Sequence, residues 1–187
     1  LPIRHRDVLY NAVVIVADGQ IWGVVPKENL ASGDVEYENR WYSSWPRTRV
    51  ETFTSPTGQE IPIGGLIFSG QGIGTFAIEI CEDGWRGIRP GSAYALAGAQ
   101  IIANPSASWF TIGKHRIRRN MVEQISREDH CAYLYTSLMG CDATRLVFDG
   151  SQFIAVNGSV EKEGRRFLFH EDVDVVNQII DVESLRR

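Results

Sequence analysis

The sequence predicts a layered α/β domain. Three observations carry that expectation. Apolar, β-branched runs of strand length recur along the chain; one of them, TFAIEIC, leads through a tight turn and an Ala-rich stretch into another, IIAN; and residues 114–130 switch to helical spacing. With 187 residues, 43% of them hydrophobic, the chain can bury one substantial core, and a single domain over 1–187 is expected.

Taken in order, VLYNAVVIVADGQIWGVVPK reads as two strands joined by Asp18-Gly19, a pair that supplies the positive φ angles of a tight hairpin turn. Lys27 then falls just beyond a strand end. Residues 28–64 are irregular, with Tyr37, Trp41, Tyr42 and Trp45 too closely spaced for a loop that packs on nothing, so an ordered excursion over a site is expected. GLIFSG and TFAIEIC suit strands buried on both faces, with Cys81 closing the second and Asp83-Gly84 marking a sharp turn. The glycines of SGQGIGTF precede a strand rather than a helix, which makes a turn a better reading than a phosphate cradle.

PGSAYALAGAQ reads as a short helix with Pro90 near its start, and IIAN as a strand ended by Asn104-Pro105. Over 114–130, Ile117, Met121, Val122 and Ile125 recur at spacings of three and four, giving a helix with one buried stripe. AYLYTS is the next strand. LVFDGSQFIAVNGSV reads as a meander turning at Asp149-Gly150 and Asn157-Gly158, and EDVDVVNQIIDV as one more alternating strand.

The formal charge is −4, from 19 basic and 23 acidic residues without long like-charged runs. That leaves no electrostatic footprint for nucleic acid or an anionic membrane. No apolar run approaches the roughly 20 residues needed to span a bilayer, and LPIRHRDVLY lacks the apolar core of a secretory signal, so a cytoplasmic protein with small, soluble partners is expected. Cys81, Cys131 and Cys141 are odd in number and lack metal-ligand spacing, which argues against a disulfide scaffold and a zinc site. At least one is expected to be a free thiol.

A thiol at the end of a buried strand, followed by a tight turn, sits where α/β folds expose reactive groups. As a nucleophile, Cys81 would add to a carbonyl carbon, the Glu82 amide would stabilise the resulting oxyanion, and Lys27 would favour both thiolate and oxyanion. Spacing alone favours the plainer reading of Cys81 as a small core residue. A Cys-His mechanism is disfavoured, because His115 and His130 lie on the charged helix and His5 and His170 have no partner that can be placed.

The residues Pro26-Lys27, Glu38-Asn39-Arg40-Trp41, Ile80-Cys81-Glu82-Asp83-Gly84-Trp85 and Asn104-Pro105-Ser106-Ala107-Ser108 together resemble the amidase domain of glutamine-dependent NAD synthetases. PIRHRDVLYN, GCDATRLVFDG and AVNGSV extend the resemblance over essentially the whole chain. The Cys motif alone would indicate only the wider nitrilase superfamily.

The resemblance implies an α-β-β-α sandwich and a Glu-Lys-Cys catalytic set. Cys81 would be the nucleophile, Lys27 the cation steadying the tetrahedral intermediate, and Glu38 a group orienting Lys27, although Glu38 taken alone reads as a solvated charge. Glu82, Trp85, Ser108 and Lys114 fall where the family lines its glutamine pocket; surface charges and a core Trp are equally good readings of them.

The resemblance places the family's general-base glutamate upstream of Leu1 and an ATP- and Mg²⁺-dependent synthetase domain downstream, so the chain is expected to be an N-terminally truncated, partial domain. The implied partners are glutamine, the synthetase domain of the same polypeptide, and further copies in a homo-oligomer. No cofactor or metal is implied for this domain. A stand-alone amidase or carbamoylase on another small amide, and a non-catalytic scaffold, remain as alternatives.

Overall fold

The computed structural model describes all residues except Asp34, Thr144, Phe169, Glu171, Asp172, Arg186 and Arg187. A first sheet contains β1 (Pro2–His5), β2 (Val8–Ala17), β3 (Gln20–Pro26), β4 (Val50–Thr54) and β5 (Glu60–Gly64), in the order β1-β2-β3-β5-β4. Asp18 and Gly19 take φ of 50° and 70°, so the β2–β3 hairpin turns where the sequence places it.

The chain then builds β6 (Ile67–Gly70), β7 (Gly74–Ile78), helix α1 (Pro90–Leu96), β8 (Ile101–Ser106), helix α2 (Lys114–Glu128) and β9 (Ala132–Ser137). A two-stranded ribbon follows, β10 (Met139–Cys141) with β11 (Val147–Asp149), and then the hairpin β12 (Gln152–Val156) and β13 (Ser159–Glu163). The second sheet runs β13-β12-β9-β8-β7-β6. Its β7, β8 and β9 are parallel neighbours. Parallel neighbours need a crossover, which α1 and α2 supply.

The two sheets meet through Val13, Ile15 and Val25 from the first and Phe68, Ile78 and Ile80 from the second. Each such side chain, once buried, contributes about 1.5–3 kcal/mol. A Cβ at Gly23 would lie 2.7 Å from Leu66 Cδ1 and 3.1 Å from Phe68 Cε1, so a side chain there would displace Leu66 and press on Phe68. On the outer face of the second sheet, Val122 and Ile125 of α2 pack with Ile102, Tyr133 and Phe153. On the outer face of the first, Trp45 covers Tyr10, Ala12, Val24, Ile61 and Ile63. Among the described residues no helix is long and apolar enough to cross a membrane.

Several expectations need correction. The 28–64 excursion contains β4 and β5, whose strand signal is muted by Pro62. Of its aromatics only Trp45 is buried, and Trp41 is 65% exposed. β7 stops at Ile78, and Cys81 opens a 3-10 turn, Cys81–Trp85, instead of closing the strand.

β8 runs through Asn104-Pro105 to Ser106. Pro105 is tolerated there because pairing with β7 has already ended at Ala103 while pairing with β9 continues. The buried face of α2 is turned toward Arg118, and Ile117 is 54% exposed. Of the last expected strand, residues 173–182 form none; Asp174 is held instead by side-chain bonds to Gln152 and Arg165.

Candidate active site

Lys27 follows β3 directly and is 2% exposed. A buried ammonium needs a partner. Its Nζ donates to Glu38 Oε2 on the 3-10 turn Glu38–Arg40. Glu38 also accepts from Asn11 Nδ2 (2.7 Å) and from the Ala31 N–H (2.7 Å). Burial acts to raise the Glu38 carboxyl, but Lys27, Ala31 and Asn11 outweigh it and hold the carboxyl below its ordinary range. Glu38 is therefore a committed anion that orients Lys27.

Cys81 adopts φ of 49°, a left-handed conformation that strains a residue carrying a Cβ. Two buried side chains hold it there. Asn104 Oδ1 accepts from the Cys81 N–H (3.1 Å) and the Ser106 hydroxyl (2.7 Å), while its Nδ2 donates to the Cys81 carbonyl (3.3 Å) and Tyr133 Oη (2.9 Å). Its hydrogen-bonding capacity is thereby filled. The Cys81 N–H can only donate, which fixes the orientation of the amide.

Asp83 is the second. Its Oδ2 accepts from the Ile80 N–H (3.0 Å), and its Oδ1 from the Asn29 N–H (2.7 Å) and Asn29 Nδ2 (2.8 Å). Asn29 lies two residues beyond Lys27, so Asp83 ties the loop of the cation to the turn of the thiol. Burial pushes the Asp83 carboxyl up against the lowering effect of these bonds.

Behind Asn104, Tyr133 donates to Glu79 (2.6 Å), which also accepts from Arg89 (3.2 Å) and the Gly91 N–H (2.9 Å). A Cβ at Gly91 would lie 2.5 Å from Glu79 Oε2, so glycine is required there. Burial raises Glu79, and Arg89 opposes it.

Lys27, Glu38 and Cys81 line one cavity of about 560 Å³, together with Glu36, Tyr37 and Ser106. A thiol, a buried ammonium and a carboxylate that fixes the ammonium form a set able to add sulfur to a small amide and stabilise the oxyanion.

No protein-family model matches the chain. Over its whole length it is 34% identical, across 194 residues, to the glutamine-dependent NAD(+) synthetase of Rattus norvegicus, of which it covers 26%. The crystal structure of a glutamine-dependent NAD(+) synthetase from Cytophaga hutchinsonii superposes with a TM-score of 0.80 at 34% identity, over 89% of this chain and 27% of that one. Over its whole length the chain is thus similar to one segment of the glutamine-dependent NAD synthetases. A carbon-nitrogen hydrolase from Helicobacter pylori shares the fold, with a TM-score of 0.65 at 18% identity over 86% of this chain and 55% of that one. The chain spans about a quarter of the length of the curated NAD synthetases it matches.

The structure brings together the three residues expected to be catalytic. The four expected to bind substrate do not line the cavity. Glu82, next to Cys81, pairs with Arg86 at 2.8 Å; burial raises its carboxyl, Arg86 lowers it, and Glu36, Lys27 and Glu38 are near enough to act on it. Trp85 is half-buried at the end of the turn. Ser108 is buried, with its carbonyl 2.6 Å and its hydroxyl 3.3 Å from the Arg118 guanidinium. Lys114 heads α2 with Nζ 4.1 Å from the centre of the Trp109 ring; burial and then Arg118 push its ammonium down.

Glu36, Asn104, Asp83 and Asn29 received no role from sequence. For Asn104 a signal existed, since a lone amide within an apolar strand that leads to an active turn has to be satisfied by something. For Asp83 the Asp-Gly turn signal hid its side-chain contacts.

Proposed function

We propose that this chain is the glutaminase part of a glutamine-dependent NAD synthetase. The observation that carries the reading is the convergence of Cys81, on its strained turn, with the buried Lys27–Glu38 pair on one cavity. The names of the relatives supply the substrate.

Glutamine enters with its side-chain carbonyl between Lys27 and the Glu82 N–H. The Cys81 thiolate adds to the carbonyl carbon, and Lys27 and the amide stabilise the oxyanion. Removing a donor of this kind typically costs about 10²- to 10³-fold in kcat. Collapse expels ammonia, which takes up the proton from the thiol, and leaves a γ-glutamyl thioester. Water then adds, releasing glutamate and restoring the thiol.

Glu38 is unsuited to carry the proton, because three donors stabilise its charged form. The proton carrier is assigned to sequence outside this chain. So is the ATP- and Mg²⁺-dependent step in which the ammonia makes NAD from its deamido precursor. The thioester chemistry itself calls for no cofactor. A cytoplasmic location and assembly into a homo-oligomer belong to the same proposal.

In the full-length protein, Cys81→Ala is expected to abolish NAD formation from glutamine and to spare NAD formation from free ammonia. Equal loss with both nitrogen donors would overturn the assignment.

A further inference from the structure

We propose that Tyr133 is a positioning residue for the Cys81 nucleophile: its hydroxyl, donated to the Glu79 carboxylate, fixes the Asn104 amide that clamps the Cys81 peptide. The proposal rests on the glutaminase reading and adds to it two buried residues that stand behind the thiol without lining its cavity.

Tyr133 lies on β9 and Glu79 just beyond β7, at 0% and 1% exposed. Neither is on the wall of the cavity that holds Cys81, Lys27 and Glu38. Three donors converge on Glu79: Tyr133 Oη at 2.6 Å, the Gly91 N–H at 2.9 Å and Arg89 at 3.2 Å. Paired with Arg89, Glu79 acts as a carboxylate, which only accepts.

The Tyr133 phenol has a single proton to donate, and Glu79 receives it. Burial, and then Glu79, push that phenol well above its ordinary range, so the proton stays on the hydroxyl. Toward Asn104 the same oxygen can then only accept, and Asn104 Nδ2 donates to it at 2.9 Å. The carbonyl end of the amide is thereby turned to the Cys81 N–H, which donates to Asn104 Oδ1 at 3.1 Å. An amide with its ends exchanged would set Nδ2 against the Cys81 N–H, donor against donor. The charge on Glu79 thus decides, through Tyr133, which way round Asn104 meets Cys81.

The turn that carries Cys81 is packed onto this chain of hydrogen bonds. A Cβ at Gly84 would lie 2.7 Å from Asn104 Nδ2 and 2.9 Å from Tyr133 Oη. Gly84 therefore rests against the Asn104–Tyr133 bond with no room for a side chain. Cys81, at φ of 49°, keeps its strained conformation only while its surroundings impose it. Removing the Tyr133 hydroxyl leaves Asn104 Nδ2 with only its longer bond to the Cys81 carbonyl, at 3.3 Å. The clamp loses its fixed end, and the sulfur is no longer held in line for attack. Misplacing a nucleophile lowers kcat, whereas the groups that bind substrate are left in place.

The test measures ammonia release from glutamine by the full-length protein as wild type, Tyr133→Phe, Asn104→Leu and the double variant, at a temperature where thermal unfolding shows all four to be folded. Tyr133→Phe should lose roughly 10- to 100-fold in kcat, with KM changed far less. Because Tyr133 acts through Asn104, the double variant should be no slower than Asn104→Leu alone. Gly84→Ala keeps every polar group and wedges the same bond apart, and it should lose kcat in the same way. A kcat for Tyr133→Phe equal to that of wild type, a loss in KM alone, or losses that multiply in the double variant would each overturn the positioning role and leave the glutaminase reading intact. Failure of the wild type to release ammonia from glutamine while it cleaves another amide overturns the glutaminase reading, and this proposal with it.

Discussion

Lys27 illustrates how one side chain is made reactive by what surrounds it. It is nearly inaccessible to water, and its charge is tolerated because Glu38 shares a hydrogen bond with it and is itself held by Asn11 and Ala31. Removing one partner of such a pair leaves a buried charge, at a cost of about 3–5 kcal/mol. Glu38 keeps some solvent contact, so the lower end of that range is expected for Glu38→Gln. The carboxyl of Glu38 titrates below its ordinary range in the folded protein. The pair's contribution is therefore complete above the ordinary glutamate range and is lost as pH falls through the depressed folded value. Denaturant midpoints measured from neutral to strongly acidic pH should show Glu38→Gln well below wild type at neutral pH, with the gap closing in acid. Two parallel curves would contradict the assignment of Glu38 as the ionised partner of Lys27.

At the scale of elements, what the sequence disclosed is local and what it hid is long-range. The Asp18-Gly19 turn, α1 and α2 were legible because each is specified by neighbours within a few residues. β4 and β5 were not, since β5 gains its place by lying beside β3, a partner more than thirty residues away. Cys81 and Lys27 could be paired from their strand ends and their chemistry, but the role of Glu38 came only from a family resemblance. Nothing within either segment reveals that Asp83 bonds Asn29, or that Asn104 reaches back from β8 to both sides of the Cys81 peptide. The strand end thus shapes the turn. Asn104→Leu keeps the bulk but orphans the Cys81 N–H, and each buried group left unmade costs about 1–3 kcal/mol. Freed of its clamp, Cys81 should relax from its strained φ. Alkylation of Cys81 by a small haloacetamide, followed by intact mass, should then change in rate far more than alkylation of the exposed Cys141. An unchanged ratio would mean that the turn keeps its shape without Asn104.

Across the whole molecule, the loop that carries Trp109 and the buried core meet at Arg118. The α2 periodicity points to an apolar buried stripe, yet the largest fully buried side chain on that helix is this arginine, at 0% exposed. Its guanidinium bonds both oxygens of the buried Asp149 (2.7 and 2.9 Å), Ser151 Oγ (3.0 Å) and the carbonyls of Ser108 (2.6 Å) and Trp109 (2.9 Å). One side chain thereby joins α2, the end of β11 and the loop after β8 that carries Trp109 toward Glu36. A helical-wheel argument could not find it, because its partners lie on segments about ten and thirty residues away. Burial acts to raise the Asp149 carboxyl, but Arg118 and the Ser151 and Arg166 contacts outweigh it and hold it low. Arg118→Met conserves much of the volume and strands that carboxylate with Ser151 and Arg166, at an expected cost of about 3–5 kcal/mol. For a chain of this size the cost corresponds to a fall in Tm of roughly 10 °C or more. Arg118→Lys should recover little of it, since one ammonium cannot replace a planar fork bridging a carboxylate and two carbonyls. The loss should shrink as pH falls through the depressed folded pKa of Asp149, where the pair has already been dissolved by protonation. Because the same guanidinium fixes the Ser108 and Trp109 carbonyls, KM for glutamine should rise in both variants even at temperatures where they remain folded. Wild-type KM in a folded Arg118→Met protein would separate the stability role of this arginine from the substrate site.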